Sequence, residues 1–259
     1  MDLGIKGRHA IVCAASKGLG RACAAALARE GVSLTIAART AADTEAAAEE
    51  IRQTHGVVVT AVAADVTTPA GRAAILAAAP QADILVNNAG GPPRGDFRSF
   101  TAEQWMAAVN DNMVAAIEMI RGVIDGMIER RFGRIVNITS STVKGPVADL
   151  SLSTAARSGL TGYVGGVARQ VARHNVTMNN LLPGPFETDR FRGGVTSRAK
   201  AAGIGFAEQL ERQRATMPAG RFGDPSEFGD ACAYLCSRQA GFITGQNLLL
   251  DGGQFPGVF

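Results

Sequence analysis

The chain has 259 residues, of which 46% are apolar, 19% charged and 5% aromatic, with one Trp and two Tyr. That composition excludes disorder and supplies one buried sheet with helices on both faces, without calling for a second domain. Lys and Arg total 26 against 23 Asp and Glu, a surplus of +3 spread along the chain, which argues against a nucleic-acid partner. Cys13, Cys23, Cys232 and Cys236 have neither the density of a disulfide framework nor the ligand pairs that zinc needs, so no metal is expected. The N-terminus lacks a signal pattern and no apolar run reaches membrane-span length, so the expectation is a cytoplasmic protein with no membrane partner.

Short apolar runs alternate with helical patterns, which predicts βαβ units and a parallel sheet. His9 to Ala14 reads as the first strand and Gly18 to Glu30 as its helix. The next strands are Val32 to Ala38, Val57 to Ala64 and Ile84 to Asn87, separated by Ala-rich helices over 41–54 and 69–79. Thr101 to Arg130 reads as one long helix opened by a capping box of Thr101 and Gln104. Met106, Val109, Met113, Ile117, Ile120 and Ile124 recur along it at spacings of three and four, predicting a single buried stripe. Arg134 to Thr139 is the fifth strand, 150–173 a helix, and Val176 to Leu182 the sixth strand, stopped by Pro183-Gly184-Pro185. The segment 186–220 has weak periodicity and reads as an irregular flap with short helices. Asp224-Pro225-Ser226-Glu227 restarts a helix, and Leu248 to Leu250 closes the sheet as its seventh strand.

Where the first strand turns into the first helix, Ala14, Ser16, Lys17, Gly18, Leu19 and Gly20 form a small-residue turn that lets a pyrophosphate approach the helix N-terminus. At the end of the second strand, where a carboxylate would hold the ribose of NAD, the chain has Ala37-Ala38-Arg39. Arg39 offers a charge-assisted fork for a 2′-phosphate and Lys17 a second cation. Two cations and no acid select NADP(H) over NAD.

With these features in place, the sequence resembles the short-chain dehydrogenase/reductase superfamily, and within it the 3-oxoacyl-acyl-carrier-protein reductase-like members. The matching landmarks are Ala64-Asp65-Val66, Asn87-Asn88-Ala89-Gly90, Ile135 to Ser140, Asn179, Pro183-Gly184, Thr188, Gly245-Gln246 and Asp251-Gly252-Gly253, in that order from about residue 6 to 255. The resemblance implies one Rossmann domain, a seven-stranded parallel sheet of order 3-2-1-4-5-6-7, over 1–259, with 186–220 as its substrate flap. It implies that Asp65 and Val66 bracket adenine and that Asn88, Ala89 and Gly90 line the ribose side. Pro183 and Gly184 turn the chain, and Phe186 and Thr188 meet the carboxamide and phosphates. It also implies a homotetramer or homodimer.

The family's catalytic set is Asn, Ser, and a Tyr and Lys one helical turn apart. Asn112 and Ser140 match the first two; the family's offset from Ser140 puts Ser153 at the Tyr position and Arg157 at the Lys position. Tyr163 and Tyr234, the only tyrosines, fall outside the motif. A serine hydroxyl is a far weaker acid than a phenol, and a guanidinium does not relay protons as an ammonium does. Lys144, a water held by Ser140, Ser153 and Asn112, or an acidic group of the substrate itself are the candidate proton sources. Arg94, Arg98, Arg190 and Arg192 are expected to rim the pocket and to favour an anionic carbonyl or alcohol substrate, such as a carboxylate or a 3-oxoacyl thioester. Carbonyl/alcohol interconversion with NADP(H) is the leading expectation. An NADP-binding sensor or subunit partner without catalysis, and a non-redox enzyme on the same fold, compete with it.

Overall fold

The structure, a computed structural model, describes residues 2–257. Seven parallel strands form one sheet in the order β3-β2-β1-β4-β5-β6-β7. They are β1 (His9–Cys13), β2 (Ser33–Ala38), β3 (Val59–Ala63), β4 (Ile84–Asn87), β5 (Gly133–Ile138), β6 (Val176–Pro183) and β7 (Asn247–Leu250). The fold class and strand order are those expected from the sequence. The period-2 alternation of β1 sends Ala10 and Val12 to one face and Ile11 and Cys13 to the other. The first face packs under α1 (Gly18–Arg29), α2 (Ala41–His55) and the late helix α9 (Pro225–Cys236), with Cys23, Ala24, Leu27, Ala48, Phe228 and Cys232 buried there. The second packs under α3 (Pro69–Ala77), α5 (Ala115–Glu129) and α6 (Ser151–Val171), through Ile75, Met119, Ile120, Val123, Leu160 and Val164. All four cysteines are free and buried, and burial pushes the Cys13 thiol up to about 12, consistent with small apolar fillers. Among the described residues no helix is long and apolar enough to cross a membrane, and no group of His, Cys, Asp or Glu could hold a metal ion.

The strand order reverses between β1 and β4, and the carboxyl ends of these two strands open a crevice, the usual ligand position of a doubly wound sheet. Across β4, β5, β6 and β7 four asparagines stand in register: Asn87 opposite Asn137, Asn137 opposite Asn180, Asn180 opposite Asn247. Each donates from its side-chain amide to the next, at 2.9, 3.1 and 2.8 Å.

Two expectations need correction. The long helix over 101–130 is three pieces: α4 (Ala102–Val109), opened by the expected capping box, a π-helical turn over Asn110–Val114, and α5. The wide turn carries an extra residue and rotates the face that follows, so the buried stripe is Ala115, Met119, Ile120, Val123 and Met127. Met106, expected inside, is 68% exposed. The flap is also more regular than expected, comprising α7 (Asp189–Ala202) and α8 (Phe206–Arg214). Gly193 and Gly194 blur its periodicity, yet α7 has a side-chain N-cap from Thr188 and a left-handed C-cap at Gly203, and it is anchored by buried Val195 and Ala199. Phe191 on α7 meets Phe222 with ring centroids 4.6 Å apart.

Candidate active site

A cavity of about 730 Å³ lies at the carboxyl ends of the strands and beneath α7. The wall that carries the expected cofactor-binding residues starts at the turn after β1. Ala14 leaves the strand at φ +47 and Gly18 turns at φ +59, both in the left-handed region. No side chain caps α1, so its first-turn amides keep no side-chain partner. A Cβ on Gly20 would stand 2.5 Å from the Ala14 carbonyl oxygen and 2.8 Å from Asn88 Nδ2, so only glycine lets the start of α1 close against the strand end. Asn88 Nδ2 donates to that same Ala14 carbonyl at 3.3 Å, tying the β4 turn to the glycine turn. Lys17, Gly18, Leu19, Asn88, Ala89 and Gly90 line this wall, while Pro183, Gly184, Phe186 and Thr188 line another. A Cβ on Gly18 would lie 3.7 Å from Thr188 Cγ2, so the two walls meet there.

Asp65 and Val66 lie outside the large cavity's lining. Asp65 Oδ1 accepts from Thr67 N at 3.0 Å and Thr67 Oγ1 at 2.8 Å, while Val66 lines a second, small cavity of about 20 Å³. Phe186 packs edge-on against Phe228 at 5.3 Å and lines the cavity from the core side. These residues fit a dinucleotide: a glycine turn without side chains, a helix start without a cap, and a cavity in the usual volume range for such ligands.

The basic strand end is changed by the fold. Lys17 Nζ lies 3.0 Å from Asp43 Oδ2, an acid in the first turn of α2 that the reading of residues 37–39 did not include. Arg39 is exposed and has no carboxylate partner among the described residues. Arg39 is therefore the unneutralised cation at this position. Arg39→Asp is expected to weaken NADPH binding about 10- to 100-fold, the worth of a charge-assisted fork, and to shift preference toward NADH. Fluorescence titration of both nucleotides reads the effect directly.

The wall that carries the expected catalytic residues is formed by the end of β5 and the first turns of α6. Ser140, Ser153 and Arg157 all line the large cavity. Ser140 Oγ accepts from Thr142 N at 3.2 Å and Thr142 Oγ1 at 2.9 Å, which leaves its own proton to donate. Arg157 is 7% exposed; its Nη1 donates to the Ile138 carbonyl at 2.6 Å and its Nε to Ser153 Oγ at 3.3 Å. It has no carboxylate partner among the described residues. Burial, and then the charge of Arg190, bring its pKa down to about 10, so it stays protonated at neutral pH. Arg134, also buried, shows the contrast: four hydrogen bonds to the oxygens of Gly133, Asn175 and Ser237 satisfy its guanidinium within the protein.

Asn112, expected as the fourth member, lies in the π-helical turn and lines the small cavity together with Asn87 and Arg157. Asn112 Nδ2 donates to the Ala108 carbonyl at 3.4 Å, and the side-chain oxygens of Asn112 and Asn87 are both buried without a partner. Lys144 does not reach the site: its Nζ lies 6.0 Å over the Phe255 ring, and it is not among the residues lining either cavity. Of the four rim arginines expected, Arg94 and Arg190 line the cavity; Arg98 pairs with Asp96 and Arg192 with Glu187 on the outside. Arg198 and Gln213, absent from the residues expected here, also line the cavity from α7 and α8. No His, Cys or Tyr lines the large cavity among the described residues, and Asp189 is its one carboxylate.

A switch-point crevice, a glycine turn and a hydroxyl-bearing wall on β5 and α6 define a nucleotide-dependent oxidoreductase scaffold. Residues 13–254 match the family profile described as Enoyl-(Acyl carrier protein) reductase. The chain belongs to the short-chain dehydrogenase/reductase superfamily. It is 33% identical to the 3-oxoacyl-[acyl-carrier-protein] reductase FabG of Vibrio cholerae, over 98% of this chain and 99% of that one. To the NADPH-dependent reductase BacG of Bacillus subtilis it is 31% identical, over 97% and 99%. The solved L-sorbose reductase of Gluconobacter frateurii in complex with NADPH and L-sorbose superposes with a TM-score of 0.95 at 28% identity, covering both chains fully.

Proposed function

We propose that this chain is an NADP(H)-dependent oxidoreductase that interconverts a carbonyl and an alcohol, using electrostatic stabilisation where its relatives' motif has a phenol. One observation carries the reading: Ser140, Ser153 and a buried, protonated Arg157 without a carboxylate converge on the cavity that the glycine turn opens. The cofactor, when bound, supplies the hydride equivalent. Ser140 and Ser153 donate to the carbonyl oxygen, and Arg157 stabilises the negative charge that develops there. The orphaned oxygens of Asn112 and Asn87 face a space of about 20 Å³, enough for one water, so Asn112 is the residue that positions water as proton source. The same cavity, lacking a good acid, favours as second reading an NADP-binding sensor or partner subunit with impaired catalysis.

NADPH binding followed by NADPH oxidation against ketones, 3-oxoacyl thioesters and keto acids separates these readings. Binding with turnover supports the oxidoreductase; binding without turnover supports the sensor; no binding removes both. A homo-oligomer accompanies the proposal. Among the exposed apolar side chains, Met106 and Val114 fall on α4 and the π turn, and Tyr234, Phe242 and Leu248 near the β7 edge, two places of the kind a tetramer with two interfaces uses. Sedimentation velocity decides it.

A further inference from the structure

We propose that the substrate carries a free carboxylate next to its reacting carbonyl, and that Arg190 and Arg198 on α7, faced by Arg94, receive it. This deepens the reading of the cavity as a reducing site and rests on it.

Arg190, Gly194 and Arg198 follow one another at four-residue spacing, so they share a face of α7, and all three line the cavity. A Cβ on Gly194 would lie 3.5 Å from Arg198 Nη2, which shows the Arg198 guanidinium folded back over the glycine toward Arg190. Arg190 in turn lies against the Gly91 backbone, where a Cβ would meet its guanidinium nitrogens. Both guanidiniums thus belong to the same cavity wall, and the charge of Arg94 acts on each of them.

Their ionic environment separates them from nearby arginines. On the outer surface Arg192 pairs with Glu187, Arg212 with Glu208, Arg214 with Glu211 and Arg221 with Glu227. Inside, among the described residues, neither Arg190 nor Arg198 has a carboxylate partner. Arg198 Nη2 donates to Gln213 Oε1 at 3.2 Å, and its Nε is buried with no partner at all. Arg94, which faces them, is held by Asp149 at 2.9 Å. Burial and the Arg94 charge lower the pKa of both Arg190 and Arg198. A planar anion would relieve that repulsion, fill the empty donors and be gripped through two forks. Arg157 completes the field on the far wall, so a short oxo acid places its carboxylate on α7 and its carbonyl at Ser153. A carrier thioester, uncharged at that distance from its carbonyl, makes no use of the pair.

The cofactor's pyrophosphate offers the same chemistry, since Thr188 stands beside Gly18, so the test has to tell the two anions apart. Isothermal titration of 2-oxo and 3-oxo acids, each against its methyl ester, is run on the free and the NADP⁺-loaded protein, with NADPH affinity measured in parallel. The proposal expects at least one acid to bind about tenfold or more tightly than its ester, and Arg198→Gln to abolish that preference while NADPH affinity and Tm stay near wild type. Esters binding as well as acids throughout the panel would overturn it. So would an acid preference that survives in both Arg198→Gln and Arg190→Gln, or an Arg198→Gln variant whose main loss is in NADPH affinity. Failure of NADPH to bind the wild type would instead strike the oxidoreductase reading, while the acid-against-ester comparison on the free protein still decides the carboxylate site.

Discussion

Replacing Ser153 by Tyr together with Arg157 by Lys is expected to raise NADPH-dependent carbonyl reduction about 10²- to 10⁴-fold, the usual worth of a positioned general acid. Both positions line the cavity on one face of α6, one turn apart, so a phenol at 153 would extend into open cavity space toward the substrate oxygen. An ammonium at 157 would lie beneath it and lower its pKa. The pH profile gives an independent reading. Among the described residues no His, Cys or Tyr lines the wild-type cavity, so its rate should stay nearly flat between about pH 6 and 9, whereas the double variant should acquire a titrating limb from the new phenol. A variant that binds NADPH normally but gains neither rate nor pH dependence would show that the missing acid is not what limits wild type.

Arg157→Met is expected to move stability and activity in opposite directions. Burial brings the folded-state pKa of Arg157 down to about 10, well below that of the free side chain. Between these values the unfolded chain holds the proton and the folded chain loses it, so stability rises with pH across that window. Below pH 10 the buried charge carries its full penalty, on the order of 3 kcal/mol. Methionine removes the charge and fills similar space, but it forfeits the bonds to the Ile138 carbonyl and Ser153 Oγ. The net gain is about 1–2 kcal/mol, or roughly 2–8 °C in Tm. Turnover, by contrast, should fall about 10²- to 10³-fold, as when an oxyanion donor is removed. Calorimetry and NADPH oxidation on the same preparation test both halves. A falling Tm would identify Arg157 as a structural residue of the Arg134 kind.

Much of this molecule was legible in its sequence because its signals are local. Apolar runs between Ala-rich helices marked the strands, and the glycine turn, the Asn88 turn and the Pro183-Gly184 turn all line one large cavity. Ser153 and Arg157 were placed by offset, and the fold brings them together with Ser140. What the sequence did not reveal depends on contacts distant along the chain or on backbone phase. The π turn at Asn112 leaves no mark on periodicity except by shifting it, so Met106 was expected inside. Asp43 neutralises Lys17 across a strand-to-helix turn, and Lys144 is drawn away by Phe255 from a tail more than a hundred residues later. Arg198 leaves no clear mark in the sequence because Gly193 and Gly194 interrupt the periodicity of the helix that carries it.

The asparagine row across β4 to β7 has an electrical consequence. All three side-chain bonds run in the same sense, so the amide dipoles add over about 14 Å of sheet, and each bond polarises the next. The row's negative pole is Asn87 Oδ1, which has no partner and shares the small cavity with Arg157. A guanidinium without a carboxylate is thus answered by a line of neutral amides that begins at the exposed edge strand β7, three strands away from β4. The outermost asparagine, Asn247, which touches nothing in the site, takes part in setting the charge environment at its centre.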